Sequence, residues 1–162
     1  LLITFGRRGP AGAFLEQCCG IVFSFRWTGA VLACAVMAFP LMVRAIRLGF
    51  EAVDPRLEQA AATLGAPRIW IFLTVTLPLI LPAILAGATL GFAKAMGEFG
   101  ATITFVSNIP GQTQTLPSAI YALLQVPEGE AQAMRLVLVS AVIAIGAVLA
   151  SEWLARRMQG RR

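Results

Sequence analysis

The sequence predicts an all-α, polytopic membrane protein that folds as a bundle of helices. Hydrophobic residues make up 58% of its 162 residues and charged residues only 13%, and the mean hydropathy is +0.79. Soluble domains carry roughly a quarter charged residues. Three apolar segments are each long enough to cross the hydrocarbon core of a bilayer, which takes about 20 helical residues. Composition and segment length therefore agree on a membrane bundle.

The three predicted spans run from Trp27 to Ile46, from Ile69 to Phe92 and from Leu136 to Leu154. Leu1 to Phe5 is expected to be the end of an earlier span, because the chain opens on LLITF without an initiating Met. We therefore expect residues 1–162 to be the C-terminal part of a single, longer membrane domain.

Arginines border the spans in two clusters. One lies between the first two spans and one follows the third: Arg44, Arg47, Arg56 and Arg68, then Arg156, Arg157, Arg161 and Arg162. The positive-inside rule predicts that both clusters are cytoplasmic. The region from Gly97 to Glu130 then faces outward or dips into the membrane. Arg7, Arg8 and Arg26 run against this orientation, because they would lie on the outer side.

Charge, cysteine and lysine usage exclude several function classes. The net charge is +5, but the basic residues sit at span edges rather than in a phosphate-binding stripe, which argues against nucleic acid. Cys18, Cys19 and Cys34 are too irregular for a disulfide framework or a metal site, so they are expected to be buried. The single lysine, Lys94, lies outside any phosphate-binding loop pattern. The chain is therefore expected to be no enzyme, with no cofactor, and ATP-driven work would need a separate ATPase.

Prolines and small residues distinguish the spans from plain anchors. Pro40 falls in the first span, and Pro78 and Pro82 fall in the second, where they are expected to kink the helices and to serve gating. A ridge of small residues follows at four-residue spacing: Ala83, Gly87, Gly91 and Ala95. Such a ridge allows another helix to approach closely, either within the same bundle or from a second copy of the chain.

A short helix over about residues 54–65 is predicted between the first two spans. Asp54 and Pro55 form a strong helix start, and Gly65 followed by Pro67 forms a clear stop. One face of this helix is apolar, with Leu57, Ala60, Ala61 and Leu64. Two interpretations are open: a surface helix lying on its own bundle, or a helix that fits a groove in a partner.

This stretch resembles the EAA loop of ABC-importer permeases. That pattern is Glu-Ala-Ala, three residues, Gly, nine residues, an aliphatic residue, one residue, and Leu-Pro. The matching positions here are Gln59, Ala60, Ala61, Gly65, Val75, Leu77 and Pro78. Gln59 replaces the usual Glu, and Glu58 stands beside it. The resemblance implies a cytoplasmic coupling helix that docks into an ATP-binding subunit, with Glu58, Gln59, Ala60, Ala61 and Gly65 as the coupling residues.

The outer region combines a turn with polar side chains. Asn108, Pro110 and Gly111 indicate a turn, and a short helix is expected from Pro117. Hydroxyl and amide groups there suit a path that must release its cargo, although loops are commonly polar in any case. The pore candidates are Glu98, Thr102, Thr104, Ser107 and Asn108. Lys94 is four residues before Glu98, so a mutually neutralised pair is favoured over an ion-binding site.

Further strings narrow the resemblance. GEFGAT and NIPG are similar to molybdate permease subunits and more weakly to sulfate permeases, and QTQTLPSAIYALLQ and AVMAFPLMVRAIR are similar to the molybdate branch. The resemblance covers essentially the whole chain, as about the C-terminal two-thirds of such a subunit. It implies a homodimer in the bacterial inner membrane, two ATPase subunits and an external oxyanion-binding protein. The loop helix and the prolines lead us to expect transport by alternating access. Sulfate, thiosulfate or tungstate are alternative cargoes, and a membrane enzyme or a passive channel are alternatives of another class.

Overall fold

The computed structural model describes residues 2–5, 9–19 and 22–159, and the regular structure within them is helical. Leu1, Arg7, Arg8, Arg161 and Arg162 lie outside the described residues. The elements are α1 (Leu2–Phe5), α2 (Pro10–Cys19), α3 (Trp27–Glu51), α4 (Pro55–Thr63), α5 (Arg68–Ile71), a π-helical segment (Phe72–Thr76), α6 (Leu77–Met96), α7 (Gly100–Val106), α8 (Leu116–Leu124) and α9 (Glu130–Gln159). They form two compact units, residues 2–38 with 92–146 and residues 39–91 with 147–159.

The three predicted spans are confirmed as helices long and apolar enough to cross a membrane: Trp27–Glu51, Arg68–Met96 and Glu130–Arg157. Each is longer than its apolar core, because the helix continues into charged turns. Arg47 pairs with Glu51 at 2.8 Å, and Arg156 pairs with Glu152 at 3.0 Å. Such pairs, four residues apart, stabilise the flanking helical turns. Hydropathy thus marks the apolar core rather than the end of the helix.

The prolines do not end the helices that contain them. Pro40 lies inside α3 and Pro82 lies inside α6. The irregularity is instead the π-helical segment, where the Leu77 N–H bonds to the Phe72 carbonyl five residues back. It ends two residues before Pro78, and a proline ring crowds the carbonyl four residues earlier in a regular helix. A wider turn at this place relieves that crowding, and the sequence patterns did not reveal it.

In the unit of residues 39–91, the small-residue ridge packs against α3 of the same chain. A Cβ added at Gly87 would lie 3.3 Å from the Ala45 Cβ, and one at Gly91 would lie 2.6 Å from the Met42 sulfur. The backbones therefore approach more closely than larger side chains would allow. Between the two interpretations of the ridge, these contacts favour packing within one bundle.

In the unit of residues 2–38 and 92–146, the core forms where α7 packs on the first half of α3. Ala33, Phe105 and Val106 are almost completely buried there. The expectation of buried cysteines was wrong for Cys18, which is exposed, and only partly right for Cys34. Cys34 is half-buried, and its thiol points at the Ala95 carbonyl at 3.8 Å. The side chain of Cys19 lies outside the described residues.

Helix α9 presents apolar side chains around most of its circumference. Only 6% of its most hydrophobic window is buried within the chain. Val142 and Leu149 are 70% and 64% exposed. A helix that is apolar all round belongs in lipid or among other membrane helices.

Candidate functional site

Helix α4 begins at the predicted cap. The Asp54 carboxylate accepts a hydrogen bond from the Arg56 N–H at 2.9 Å, and Pro55 occupies the first helical position. The cap satisfies one of the N–H groups that a helix start leaves unpaired, and the proline lacks one of them. The sequence-based start of the helix is therefore confirmed, together with its reason.

The end of α4 is a Schellman motif built around Gly65. The Gly65 N–H bonds to the Ala62 carbonyl at 3.0 Å, and the Ala66 N–H bonds to the Ala61 carbonyl at 3.3 Å. Gly65 has φ of +83°, and a Cβ at this position would meet no atom within 4 Å. Glycine is favoured here by the left-handed backbone conformation and not by lack of space.

The predicted apolar face of α4 is largely uncovered within the described chain. None of the residues of α4 is buried; Leu57 is 48% exposed, and Leu64, which caps the helix, is 88% exposed. Gln59 and Ala60 are exposed as well, while Ala61 is half-buried. A short helix needs packing to persist, and here the apolar stripe is not what provides it.

A polar contact holds α4 to the following span instead. The Thr76 hydroxyl donates a hydrogen bond of 2.5 Å to the Glu58 Oε1. Thr76 is the last residue of the π-helical segment and is 4% exposed, and Glu58 is half-buried. A cleft of about 420 Å³ beside this contact is lined by both residues together with Gln59 and Arg68. Sequence reasoning missed Thr76, because a lone threonine in an apolar run carries no pattern that points to a partner 18 residues away.

The predicted pair in the other unit is confirmed. The Lys94 Nζ lies 2.7 Å from the Glu98 Oε2, and the Ala101 N–H donates to the Glu98 Oε1 at 2.9 Å. The hydrogen bond from Lys94, followed by that from Ala101, lowers the pKa of the Glu98 carboxyl below its usual 4.5, against the opposing effect of burial. Glu98 also supplies a cap for α7, whose β-branched sequence did not predict a helix.

The hydroxyl groups of the two threonines among the pore candidates bond within their own helical region. Thr102 is 1% exposed and donates to the Phe99 carbonyl at 2.9 Å. Thr104 is exposed and donates to the Gly100 carbonyl at 2.9 Å. Ser107 ends α7 with φ of +66°, which is unusual for a residue other than glycine.

Asn108 belongs to a buried hydrogen-bond network with α8, the short helix expected from Pro117. The Ser118 hydroxyl donates to the Asn108 Oδ1 at 3.0 Å, and the Thr115 N–H donates to the Ser118 Oγ at 2.9 Å. Ser118 is 2% exposed. Sequence reasoning missed Ser118, although its place three residues after Thr115 resembles a capping box.

The structure thus divides the predicted site residues into two groups. Glu58, Gln59, Ala60, Ala61 and Gly65 lie together on or beside α4. The five pore candidates occur within eleven residues of one another along the chain, in the other unit. Within the described residues, no three His, Cys, Asp or Glu side chains come together as a metal site would require.

Comparison with known proteins identifies the family. The family model described as "Binding-protein-dependent transport system inner membrane component" matches residues 13–160, and the chain belongs to that family. Its members are inner-membrane components of ABC transporters, which work with ATPase subunits and a binding protein. The chain is therefore a multi-pass membrane transport component rather than an enzyme.

Individual relatives agree with the family along most of the chain. The molybdenum transport system permease protein ModB of Escherichia coli K12 is 61% identical over 96% of this chain and 68% of its own length. The protein of the same name from Haemophilus influenzae is 56% identical over 98% of this chain and 69% of its own length. The sulfate transport system permease protein CysT of Salmonella typhimurium is 38% identical over 77% of this chain and 45% of its own length.

Proposed function

We propose that this chain is the permease subunit of an ABC importer that carries molybdate across the bacterial inner membrane. The observation that carries the proposal is 61% identity, along 96% of the chain, to a protein named as a molybdenum transport permease. ATP is bound by a separate partner subunit, and an external binding protein delivers the oxyanion. The chain itself needs no cofactor in this role.

In this proposal α4 is the cytoplasmic coupling helix that docks into the ATPase. The exposed apolar side chains of Leu57 and Leu64 supply the anchors that a groove-binding helix needs. Gln59 and Ala60 lie exposed beside them, and Gly65 sets the direction in which the chain leaves the helix. The uncovered apolar face supports docking over the alternative of a helix lying on its own bundle.

Transport then proceeds by alternating access in a homodimer of permeases. Closure of the ATPases draws the two coupling helices together and re-orients the spans, with the turns at Pro40, Pro78 and Pro82 as the flexible points. Each of the two global states must make different contacts with the partner. The arginine clusters support a cytoplasmic coupling loop and C-terminus.

The polar residues of the outer segment shape the path for the anion. Thr104 and Ser107 have exposed side chains and are the proposed lining residues. Glu98, Thr102 and Asn108 are largely engaged in the hydrogen bonds described above, and their role is to hold that lining in place. Hydroxyl groups bind an oxyanion without full charge, which lets the cargo leave.

The test is uptake of labelled molybdate by the complete transporter in proteoliposomes, with excess sulfate or tungstate as competitors. Molybdate uptake that requires ATP and resists excess sulfate supports the proposal. ATP-dependent uptake of sulfate with little uptake of molybdate contradicts the assignment of cargo. Sulfate is the second candidate because of the 38% identity to a sulfate permease.

A further inference from the structure

We propose that the hydrogen bond from Thr76 to Glu58 is the link through which α4 moves the second span, with Glu58 acting inside the subunit as a positioning residue. This inference rests on the proposed docking of α4 to an ATPase. It assigns different tasks to two neighbouring residues. Gln59 faces the partner, and Glu58 holds the coupling helix on its own chain.

The helix geometry supports that division. Successive residues of an α-helix project about 100° apart, so Glu58 and Gln59 point in different directions although both border the cleft beside Thr76. Glu58 is half-buried and accepts the Thr76 hydrogen bond, whereas Gln59 is exposed. The carboxylate beside the atypical Gln59 is therefore occupied within the subunit and does not replace the missing glutamate at the partner interface.

Thr76 behaves differently from the other threonines of its span. The Thr74 hydroxyl donates to the Trp70 carbonyl at 2.6 Å, and the Thr89 hydroxyl donates to the Leu85 carbonyl at 2.9 Å. Both are bonds to the carbonyl four residues back, the usual partner for a threonine in a helix. Thr76 instead donates out of its helix to Glu58. A bond of hydroxyl to carboxylate belongs to the stronger class of hydrogen bonds.

The place where this bond attaches is suited to transmitting a displacement. Thr76 ends the π-helical segment Phe72–Thr76, and α6 with Pro78 begins at the next residue. Single π-helical turns inside α-helices are rare and are frequent at functional sites. A displacement of α4 would therefore be transmitted to the π-helical segment, the turn of this span whose hydrogen-bond pattern is already irregular. We infer that this turn changes its geometry when the ATPase moves α4.

The experiment measures molybdate transported per ATP hydrolysed by the complete transporter, together with co-purification of the ATPase. Thr76→Val and Glu58→Met each remove the bond with little change of side-chain volume. We expect both to retain the ATPase and to lower transport per ATP about ten- to hundredfold, the effect of a hydrogen bond to a charged group worth roughly 1.5–3 kcal/mol. Thr76→Ser and Glu58→Gln keep a donor and an acceptor and should restore the ratio.

Thr89→Val is the matched control, because its hydroxyl donates to a carbonyl of its own helix and Thr89 lies outside the π-helical segment. It should leave transport per ATP unchanged. An unchanged ratio in Thr76→Val, or a failure of Thr76→Ser to restore it, overturns the proposal. Loss of the ATPase from both Thr76→Val and Glu58→Met also overturns it, because the bond would then serve assembly alone. A separate set of substitutions, on the exposed face of α4, tests the docking itself. If the ATPase still associates normally with those variants, α4 does not dock into it.

Discussion

Helix α4 and the segment from Gly97 to Gln125 differ in which of their side chains, apolar or polar, are exposed and which are buried. On α4, the apolar side chains of Leu57 and Leu64 are exposed, and Glu58 makes a side-chain hydrogen bond to the following span. In the segment from Gly97 to Gln125, polar side chains such as Thr102 and Ser118 are buried and bonded to neighbouring groups. The apolar side chains of α4 are thus left uncovered, whereas the polar groups of the second region are hydrogen-bonded to one another.

This difference is the one expected between a surface that binds a partner and a segment that is stabilised by its own internal hydrogen bonds. Buried polar groups are costly unless they are hydrogen-bonded, so the segment from Gly97 to Gln125 needs its internal network in order to fold. An exposed apolar stripe on a short helix has the opposite meaning, because its stabilisation comes from what covers it. Substitutions in α4 should therefore weaken association with the ATPase, whereas substitutions in the second segment should lower stability.

The largest effect is expected for Gly65→Leu. Its φ of +83° disfavours a branched side chain by about 1–2 kcal/mol, so the end of α4 would be remodelled. ATPase co-purification and molybdate uptake should both be mostly lost, and Gly65→Asn should retain more of each. Gly111→Leu is the matched control for the strain of a side chain at positive φ, since Gly111 has φ of +75° and equally open surroundings but does not border α4. Normal ATPase association in Gly65→Leu would contradict the docking role.

The next largest effect is expected for Ser118→Ala in the segment from Gly97 to Gln125. The substitution leaves the Asn108 Oδ1 and the Thr115 N–H without this partner. It should lower the free energy of unfolding by about 1–3 kcal/mol, which a thermal denaturation of the purified complex would detect. ATPase association at low temperature should stay normal. A variant as stable as the wild type would show that the network is not needed.

A smaller, pH-dependent effect is expected for Glu98→Gln. The pKa of Glu98 is lowered in the folded chain, so the carboxylate adds stability that is fully present above the ordinary value of 4.5. That stability is lost as the pH falls through the lowered pKa. The difference in melting temperature between the wild type and Glu98→Gln should be constant above pH 4.5 and shrink below it. A difference that grows on acidification would mean that Glu98 is not held as a carboxylate.

The smallest effect on stability is expected for Thr104→Val. Its exposed hydroxyl bonds only to carbonyls of its own helix, so the free energy of unfolding should change by less than about 0.5 kcal/mol. The informative measurement is uptake at limiting molybdate. A reduced rate with unchanged stability would support Thr104 as a lining residue. Unchanged uptake would count against it.

The sequence predicted the elements whose signals are local. The three spans follow from apolar length, and both ends of α4 follow from Asp54, Pro55 and Gly65. The pairing of Lys94 with Glu98 follows from their spacing. These predictions succeed because the residues that determine each feature lie within a turn or two of it.

What the sequence did not predict depends on contacts between distant residues or on a departure from regular geometry. The bond of Thr76 to Glu58 joins residues 18 positions apart, and the network of Ser118 with Asn108 joins residues 10 apart. The π-helical segment, FLTVT, carries no local sequence pattern that distinguishes it from the α-helical turns around it. Helix α7 forms in spite of its β-branched residues, because the Glu98 carboxylate caps it from outside.

The most direct test of the central claim is photo-crosslinking from the two regions in the complete transporter. A photoreactive amino acid is placed either at Gln59 on α4 or at Gln112 in the turn between α7 and α8, both of which are exposed polar positions. If α4 docks into the ATPase subunit, position 59 crosslinks to that subunit and position 112 does not. A crosslink to the ATPase from position 112, or its absence from position 59 in an intact complex, would contradict the assignment of α4 as the coupling helix.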